Sequence, residues 1–359
     1  MNVQLTAPQF QKKLLDWFDQ YGRKSLPWQQ NKTPYRVWIS EIMLQQTKVS
    51  TVIPYFERFM KQFPDLKSLS NATQDEVLHL WAGLGYYSRA RNLHHASKIM
   101  MEKHHGQIPD TFTELKNLPG IGQSTAGAIL SIAFQKPATI LDGNVKRVLA
   151  RLFGITEPIN EKKIENQLWT LAHQYTPENR IADYTQAMMD LGATLCVPKN
   201  PDCAHCPFMK CCVATLNHLT EFLPNKKAAS PLPIRKTTFL IFKKNKEILL
   251  YKRPAKGIWG GLFSLPEIEG SPTKRTISVF CKKHFKTTFH SYQTLPSFRH
   301  TFTHYHLDIF PVMFEVKKNI KHLIVYHADQ IWYHSQNPTA VGLPKPVQTL
   351  LRQLYLRKF

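Results

Sequence analysis

Hydrophobic positions in the first two thirds of the chain recur at helical spacing. Phe10, Leu14, Leu15 and Phe18 fall on one face, and residues 115–134 keep the same period. After residue 233 the pattern changes. Thr237-Thr-Phe-Leu-Ile-Phe242 and Glu247-Ile-Leu-Leu-Tyr251 are short β-type runs separated by Lys-rich turns, with further strand candidates at 301–316 and 323–326. Between the regimes, Asn225-Lys-Lys-Ala-Ala-Ser-Pro-Leu-Pro233 combines two Pro, small residues and a basic pair, which reads as an exposed linker. The pattern predicts a mostly α region at 1–216, a linker at 217–233 and a smaller α+β domain at 234–359. Internal repeats and low-complexity segments are absent.

Composition narrows the classes. At roughly 150 residues per domain, 359 residues hold two or three domains with buried cores. With 43% hydrophobic and 20% charged residues, the chain is globular rather than disordered. Lys and Arg number 47 against 25 Asp and Glu, a net charge of +22. That excess points to a polyanionic partner, most often nucleic acid, with an anionic membrane surface as the alternative. It is unevenly spread: residues 1–233 carry 26 basic against 19 acidic side chains, residues 234–359 carry 21 against 6. No apolar run approaches the ~18 residues of a membrane span, and the first twelve residues lack a signal-peptide core. The expectation is a cytoplasmic protein, nucleoid-associated in a bacterium, with no membrane partner and with reduced thiols.

Four of six cysteines, Cys196, Cys203, Cys206 and Cys212, follow the spacing C-x6-C-x2-C-x5-C within 17 residues. In a reducing compartment such a group ligates metal rather than forming disulfides, and four thiolates suit zinc and an iron–sulfur cluster alike. Cys211 beside Cys212 leaves open which of the two is the ligand. In Leu118-Pro-Gly-Ile-Gly122, ahead of a helix starting near Ser124, Gly120 and Gly122 permit a tight turn. That turn brings a phosphate to the amides of a helix N-terminus. This is a helix-hairpin-helix signature for gripping DNA backbone, with Gly120, Gly122 and Ser124 at the contact. A second Gly turn, Trp81-Ala-Gly-Leu-Gly-Tyr86, followed by Arg89 and Arg91, fits a wedge into a base stack with Arg on phosphate, and fits core packing equally well.

Two carboxylates sit in contrasting settings. Glu41 is flanked by apolar residues in Val37-Trp-Ile-Ser-Glu-Ile-Met-Leu44, where burial favours the protonated acid. Asp142 stands where a helix begins, and as an N-cap it should stay ionised. One protonated and one ionised carboxylate suit glycosidic cleavage through a cationic sugar. An ordinary salt bridge and an ordinary cap would account for the same residues.

Taken together, Glu41 before Gln45-Gln-Thr47, the Leu118–Gly122 turn, Asp142-Gly-Asn-Val and the cysteine spacing resemble the helix-hairpin-helix DNA glycosylases that carry a [4Fe–4S] cluster. Within them the chain is identified as a member of the MutY-type adenine DNA glycosylases, a resemblance covering nearly its whole length. It implies a [4Fe–4S] cluster on Cys196, Cys203, Cys206 and Cys212, and a helix-hairpin-helix module at about 28–134. It implies Glu41 as the acid that protonates adenine N7, Asp142 as the carboxylate supporting the oxocarbenium ion, and Asn144 as its neighbour. By the same resemblance, Trp28, Leu44 and Gln186 border the adenine pocket, and Gln46, Thr47, Leu84 and Tyr86 probe or wedge beside the opposing 8-oxoguanine. Members that also nick the backbone carry a nucleophilic Lys where this chain has Ser124, which implies a monofunctional enzyme.

The last third resembles the Nudix-like module of that family through Lys256-Gly-Ile-Trp-Gly-Gly-Leu-Phe-Ser-Leu-Pro266. The acidic helix that diphosphate hydrolysis needs is replaced by a basic stretch at 274–284, so the module should bind rather than cut. Phe302-Thr303-His304 matches a loop, usually Phe-Ser-His, that reads 8-oxoguanine; Thr keeps the hydroxyl and adds a methyl. The implied partner is duplex DNA containing adenine opposite 8-oxoguanine or guanine, bound by a monomer.

Overall fold

The helical periodicity materialises in the computed structural model, which describes residues 5–225, 231–285, 291–316, 329–334 and 336–356. Helices α1 (Ala7–Tyr21), α2 (Pro34–Leu44), α3 (Val49–Gln62), α4 (Leu66–Asn71), α5 (Gln74–Trp81) and α6 (Ser88–Lys103) come first. They are followed by α7 (Phe112–Asn117), α8 (Gln123–Phe134), α9 (Gly143–Phe153), α10 (Lys162–Tyr175), α11 (Ile181–Thr194) and α12 (Val213–Leu216). Local chemistry sets their starts. Pro34 begins α2 while the Thr33 side chain accepts from Arg36 N, and Asp142 caps α9 by accepting from Val145 N. Helix α2 is apolar nearly all round, burying Val37, Trp38, Ile39, Ile42 and Met43, as befits a helix inside a bundle. Helix α1 buries Phe10, Leu14, Trp17 and Phe18 in a core shared with α9, α10 and α11. Phe10 stacks on Phe208 of the cysteine loop at 4.8 Å between ring centroids.

The β-type runs become one sheet. Strands β1 (Ile234–Lys244), β2 (Glu247–Lys252), β3 (Phe263–Ser264), β4 (Glu267–Glu269), β5 (Gln293–Thr294), β6 (Phe298–Thr301), β7 (His306–Glu315) and β8 (Gln330–His334) are accompanied by α13 (Lys274–Phe285) and α14 (Lys345–Leu356). The central order is β3-β2-β1-β7-β5, with β4 on β1, β6 on β7 and β8 on β2. Strands β1 and β7 run parallel, and every residue from Thr237 to Phe242 is buried, so both faces of the central strand are covered. Helix α13 packs Ile277 and Cys281 against Leu240, Phe242, Val312 and Phe314. The single strand expected at 301–316 is instead the end of β6, a turn and β7. The candidate strand at 323–326 and residues 226–230 of the expected linker lie outside the described residues.

The chain forms two units. Met1–Asn71 joins Asn92–Ala229, while Ala72–Arg91, carrying α5 and the second Gly turn, joins Ser230–Phe359. Among the described residues, no helix is long and apolar enough to cross a membrane.

Candidate active site and DNA-binding elements

Glu41 lies on the last turns of α2, only partly accessible and densely surrounded. Burial, and secondarily the charge of Asp142, push its carboxyl up to about 8, so at neutral pH it holds its proton. Asp142 Oδ1 accepts from Val145 N at 2.8 Å, and Asn144 Nδ2 lies 3.5 Å from Oδ2. The cap alone predicts a depressed Asp142. The structure gives the opposite direction: burial raises it, overriding the backbone bonds from Val145 and Asn144 and the charges of Arg147 and Lys146. The Asp142 charge thus adds to the burial that keeps Glu41 protonated at neutral pH.

The hairpin forms as expected, from α7 through the turn into α8. Gly120 has φ +83°, and a Cβ there would meet Asn92 Cβ at 2.9 Å, so only glycine fits. Gly122 differs from expectation: its φ is −89°, and a Cβ would meet nothing within 4 Å. Its lack of a side chain leaves the N-terminus of α8 uncovered rather than enabling the turn. Ser124 Oγ accepts from Leu141 N at 3.0 Å, so this hydroxyl ties the hairpin to the residue before Asp142. Gln45 Nε2 donates to Gly120 O (3.3 Å) and Thr125 Oγ1 (3.2 Å), joining the end of α2 to the hairpin. Gln46 is exposed at φ +56°, and Thr47 Oγ1 donates to Gln45 O at 3.3 Å.

Leu44 lies three residues after Glu41 on α2 and so shares its face. Trp28 is buried with its ring edge-on to Phe56, centroids 5.5 Å apart. Gln186 Nε2 donates to Asp190 Oδ1 at 2.8 Å. Asp190 is wholly buried and also accepts from Arg23 Nη2 at 2.6 Å and Arg23 N at 2.8 Å. A cleft of about 140 Å³ beside Gln186 is lined by Arg23, Lys24, Gln29 and Lys32, but by none of Glu41, Asp142, Trp28 and Leu44.

Around the cysteine loop, Cys206 is pushed up to about 12 by burial and by the nearby Cys196, Cys212 and Cys203. Cys211 feels Cys212 alone among the cysteines and its thiol donates to Phe208 O at 3.4 Å. Cys206 thus has Cys196, Cys203 and Cys212 near it, whereas Cys211 has Cys212 alone. Among the described residues no three His, Cys, Asp or Glu side chains converge closely enough for one metal ion. Four soft thiols divided among several irons need not converge on one atom. Arg151 Nη1 lies 3.4 Å from Cys196 Sγ and donates to Val197 O at 2.7 Å.

In the second unit the Gly turn presents one aromatic residue. Tyr86 is 43% exposed while Leu84 is 6% exposed, so of these two only Tyr86 projects from the turn. Arg89 is buried beneath the turn, donating to Gly85 O at 3.2 Å, with its guanidinium over the Trp81 and Tyr86 rings. Arg91 Nη1 donates to Gly260 O at 2.7 Å. Both guanidiniums are thus engaged by backbone carbonyls, in line with the packing alternative for this turn. Phe302, Thr303 and His304 form the β6–β7 turn, closed by Phe302 N donating to Tyr305 O at 2.9 Å. Thr303 and His304 are exposed, while Phe302 packs on Trp259 at 5.3 Å. Two exposed polar tips on an aromatic base can hydrogen-bond a base edge.

Sequence reasoning missed Gln45, Asp190 and Arg147. Arg147 Nη2 donates to Asn144 Oδ1 (2.8 Å) and Gly192 O (2.6 Å), and its Nε donates to Cys196 O (2.6 Å), bridging the Asp142 block to the cysteine loop. The i, i+3 spacing of Asn144 and Arg147 and the i, i+4 spacing of Gln186 and Asp190 were the available signals.

Comparison with known proteins places these features. Residues 39–174 match the HhH-GPD superfamily of base excision DNA repair proteins, and residues 237–353 match the NUDIX domain. The chain is 41% identical, over 95% of its length and 96% of the relative's, to the adenine DNA glycosylase of Buchnera aphidicola from Acyrthosiphon pisum. It is 44% identical to the human adenine DNA glycosylase over 57% of this chain and 39% of that one. A thermostable thymine-DNA glycosylase superposes with TM-score 0.54 at 26% identity, covering 59% of this chain and 97% of that one. An endonuclease III–DNA complex shares the fold at TM-score 0.51 and 22% identity, covering 60% and 99%.

Proposed function

The chain belongs to the adenine DNA glycosylase family of the HhH-GPD superfamily, and from that premise we propose that it excises adenine mispaired with 8-oxoguanine or guanine in duplex DNA. The observation that carries the reading is Glu41, protonated at neutral pH by burial and by its neighbour Asp142. The adenine must leave the stack to be reached, and Tyr86 offsets the few kcal/mol of unstacking. Glu41 donates its proton to adenine N7, the glycosidic bond breaks, and the electron pair leaves with the neutral base. The Asp142 carboxylate, held by Val145 N, supports the cationic sugar. Glu41, now ionised, accepts a proton from water as the oxygen adds to C1′. Asn144 lies beside the second Asp142 oxygen. Trp28, Leu44 and Gln186 border the base, Gln46, Thr47, Leu84 and Tyr86 act beside its partner, and Gly120, Gly122 and Ser124 mark the backbone contact. Without an amine at position 124, no Schiff base forms and the strand is left uncut.

Cys196, Cys203, Cys206 and Cys212 would hold a [4Fe–4S] cluster, which when bound staples the loop after α11. Burial raises the thiols of Cys196 and Cys206, so loading displaces protons there. Cys212→Ser should therefore lose iron and sulfide and melt several degrees lower, while Cys211→Ser keeps both. Equal iron loss in the two variants would refute the assignment.

Phe302, Thr303 and His304 read the damaged base. Adenine release from A:8-oxoguanine and A:G duplexes under single turnover tests this. His304→Ala should narrow the preference for 8-oxoguanine by about tenfold, the worth of one lost hydrogen bond to a base, with strand scission absent throughout. An unchanged preference would remove the loop from the reading role.

A further inference from the structure

The segment carrying Tyr86 is anchored within the second unit on both of its flanks. Before the turn, Asp75 at the start of α5 pairs with Lys252 of β2 at 2.8 Å, and His79 Nδ1 lies 3.2 Å from Val341 O. At the turn, Tyr87 OH accepts from Gly83 N at 3.2 Å and donates to Leu343 O at 3.4 Å, so one hydroxyl joins the turn to the residues before α14. After it, Arg91 Nη1 donates to Gly260 O at 2.7 Å. The packing between these points is close. A Cβ on Gly342 would meet Leu262 Cδ2 at 2.7 Å, Leu78 Cβ at 2.9 Å and the Leu78 carbonyl carbon at 3.0 Å, so only a glycine lets this loop lie so close to α5. Tyr86 itself takes φ +48°, a left-handed conformation unfavourable for a tyrosine, and persists only because its surroundings over-determine it.

We propose that Asp75 and Arg91 are positioning residues that hold the Tyr86 wedge on the C-terminal domain, so that this domain sets adenine extrusion as well as reading the opposite base. The inference rests on the reading of Tyr86 as the wedge. A domain that binds damage through the Phe302–His304 turn thereby presents the wedge in fixed register, without a conformational signal passing through the helical unit. Neither anchor touches DNA bases in this scheme. Asp75 acts through α5, and Arg91 through the first turn of α6.

The test uses full-length protein in a Glu41→Gln background, which removes chemistry, and a duplex with 2-aminopurine in place of the target adenine opposite 8-oxoguanine. The rate of the fluorescence rise on mixing reports unstacking. Asp75→Asn and Lys252→Met should each slow it about three- to fivefold, as befits a half-buried ion pair. The double variant should be no slower than the slower single, because the two side chains act as one link. Arg91→Met should slow the rise about tenfold, the loss of a charged donor from a carbonyl, and Arg91→Lys should recover part of it. Additive effects of Asp75 and Lys252, or wild-type rates in all three single variants alongside a slow Tyr86→Ala, would overturn the anchoring and leave the wedge standing. An unchanged rate in Tyr86→Ala would instead overturn the wedge reading, and the inference with it.

Discussion

Glu41→Gln is expected to lower single-turnover adenine release by about a thousandfold, the scale of a lost general acid. Glutamine has the same shape and can still hydrogen-bond N7, so binding should survive while proton delivery is lost. The pH profile carries an independent signature. Burial and Asp142 hold Glu41 at about 8, so the reactive, protonated form dominates below that pH. Wild-type rates should fall as pH rises through about 8. Stability follows the same sign. A carboxyl raised in the folded state binds its proton more tightly there than in the unfolded chain, so its contribution is complete below the unfolded value and disappears as pH rises through about 8. Above that pH the ionised Glu41 is a burden, and Glu41→Gln should melt higher than wild type while remaining inactive. Near-wild-type turnover in the variant, or a wild-type rate flat through pH 8, would rule out Glu41 as the acid.

The same pair marks where a sequence stops being legible. Six of the seven residues around Glu41 in 37–44 are apolar, Ser40 being the seventh, and this is enough to foresee both α2 and a retained proton. Asp142 is different. The dipeptide that follows it announces a cap, and the cap is there. How deeply a cap is buried depends on what packs over it, and a local reading cannot see that. The bonds were foreseen and the burial that outweighs them was not.

A similar division runs through the DNA-binding elements. Glycine at 120 is demanded by a left-handed turn, a local property, and was legible; glycine at 122 is not so demanded. Arg89 and Arg91 follow a wedge-like turn and invite a phosphate assignment, but the turn's own Gly85 carbonyl and the distant Gly260 carbonyl accept from them. Charge in a sequence identifies a cation without identifying its partner. The switch from helical periodicity to short β-type runs near residue 233 located the sheet, whereas the grouping of Ala72–Arg91 with that sheet depends on contacts more than 160 residues apart in the chain. In the cysteine loop the spacing marks a group of thiols, but only the neighbours acting on each one set Cys211 apart from Cys212.

Asp142→Asn provides the second large effect and tests the coupling between the carboxylates. Asparagine caps helices about as well as aspartate, so Val145 N keeps an acceptor and α9 keeps its start. The charge facing the sugar is lost. An amide cannot neutralise an oxocarbenium ion, and release should fall by about a thousandfold or more, an electrostatic loss of roughly 4 kcal/mol. Thermal stability should hold or rise, because a buried carboxylate whose burial outweighs its hydrogen bonds is replaced by a neutral group. The residual activity carries a further mark. Part of the elevation of Glu41 comes from the Asp142 charge; with that charge removed, Glu41 ionises at lower pH. The alkaline fall of the residual rate should therefore move downward from about 8, although the residue changed is not the acid. A profile that loses amplitude without moving would mean that the two carboxylates do not share a site, and the mechanism built on their opposed roles would fail with it.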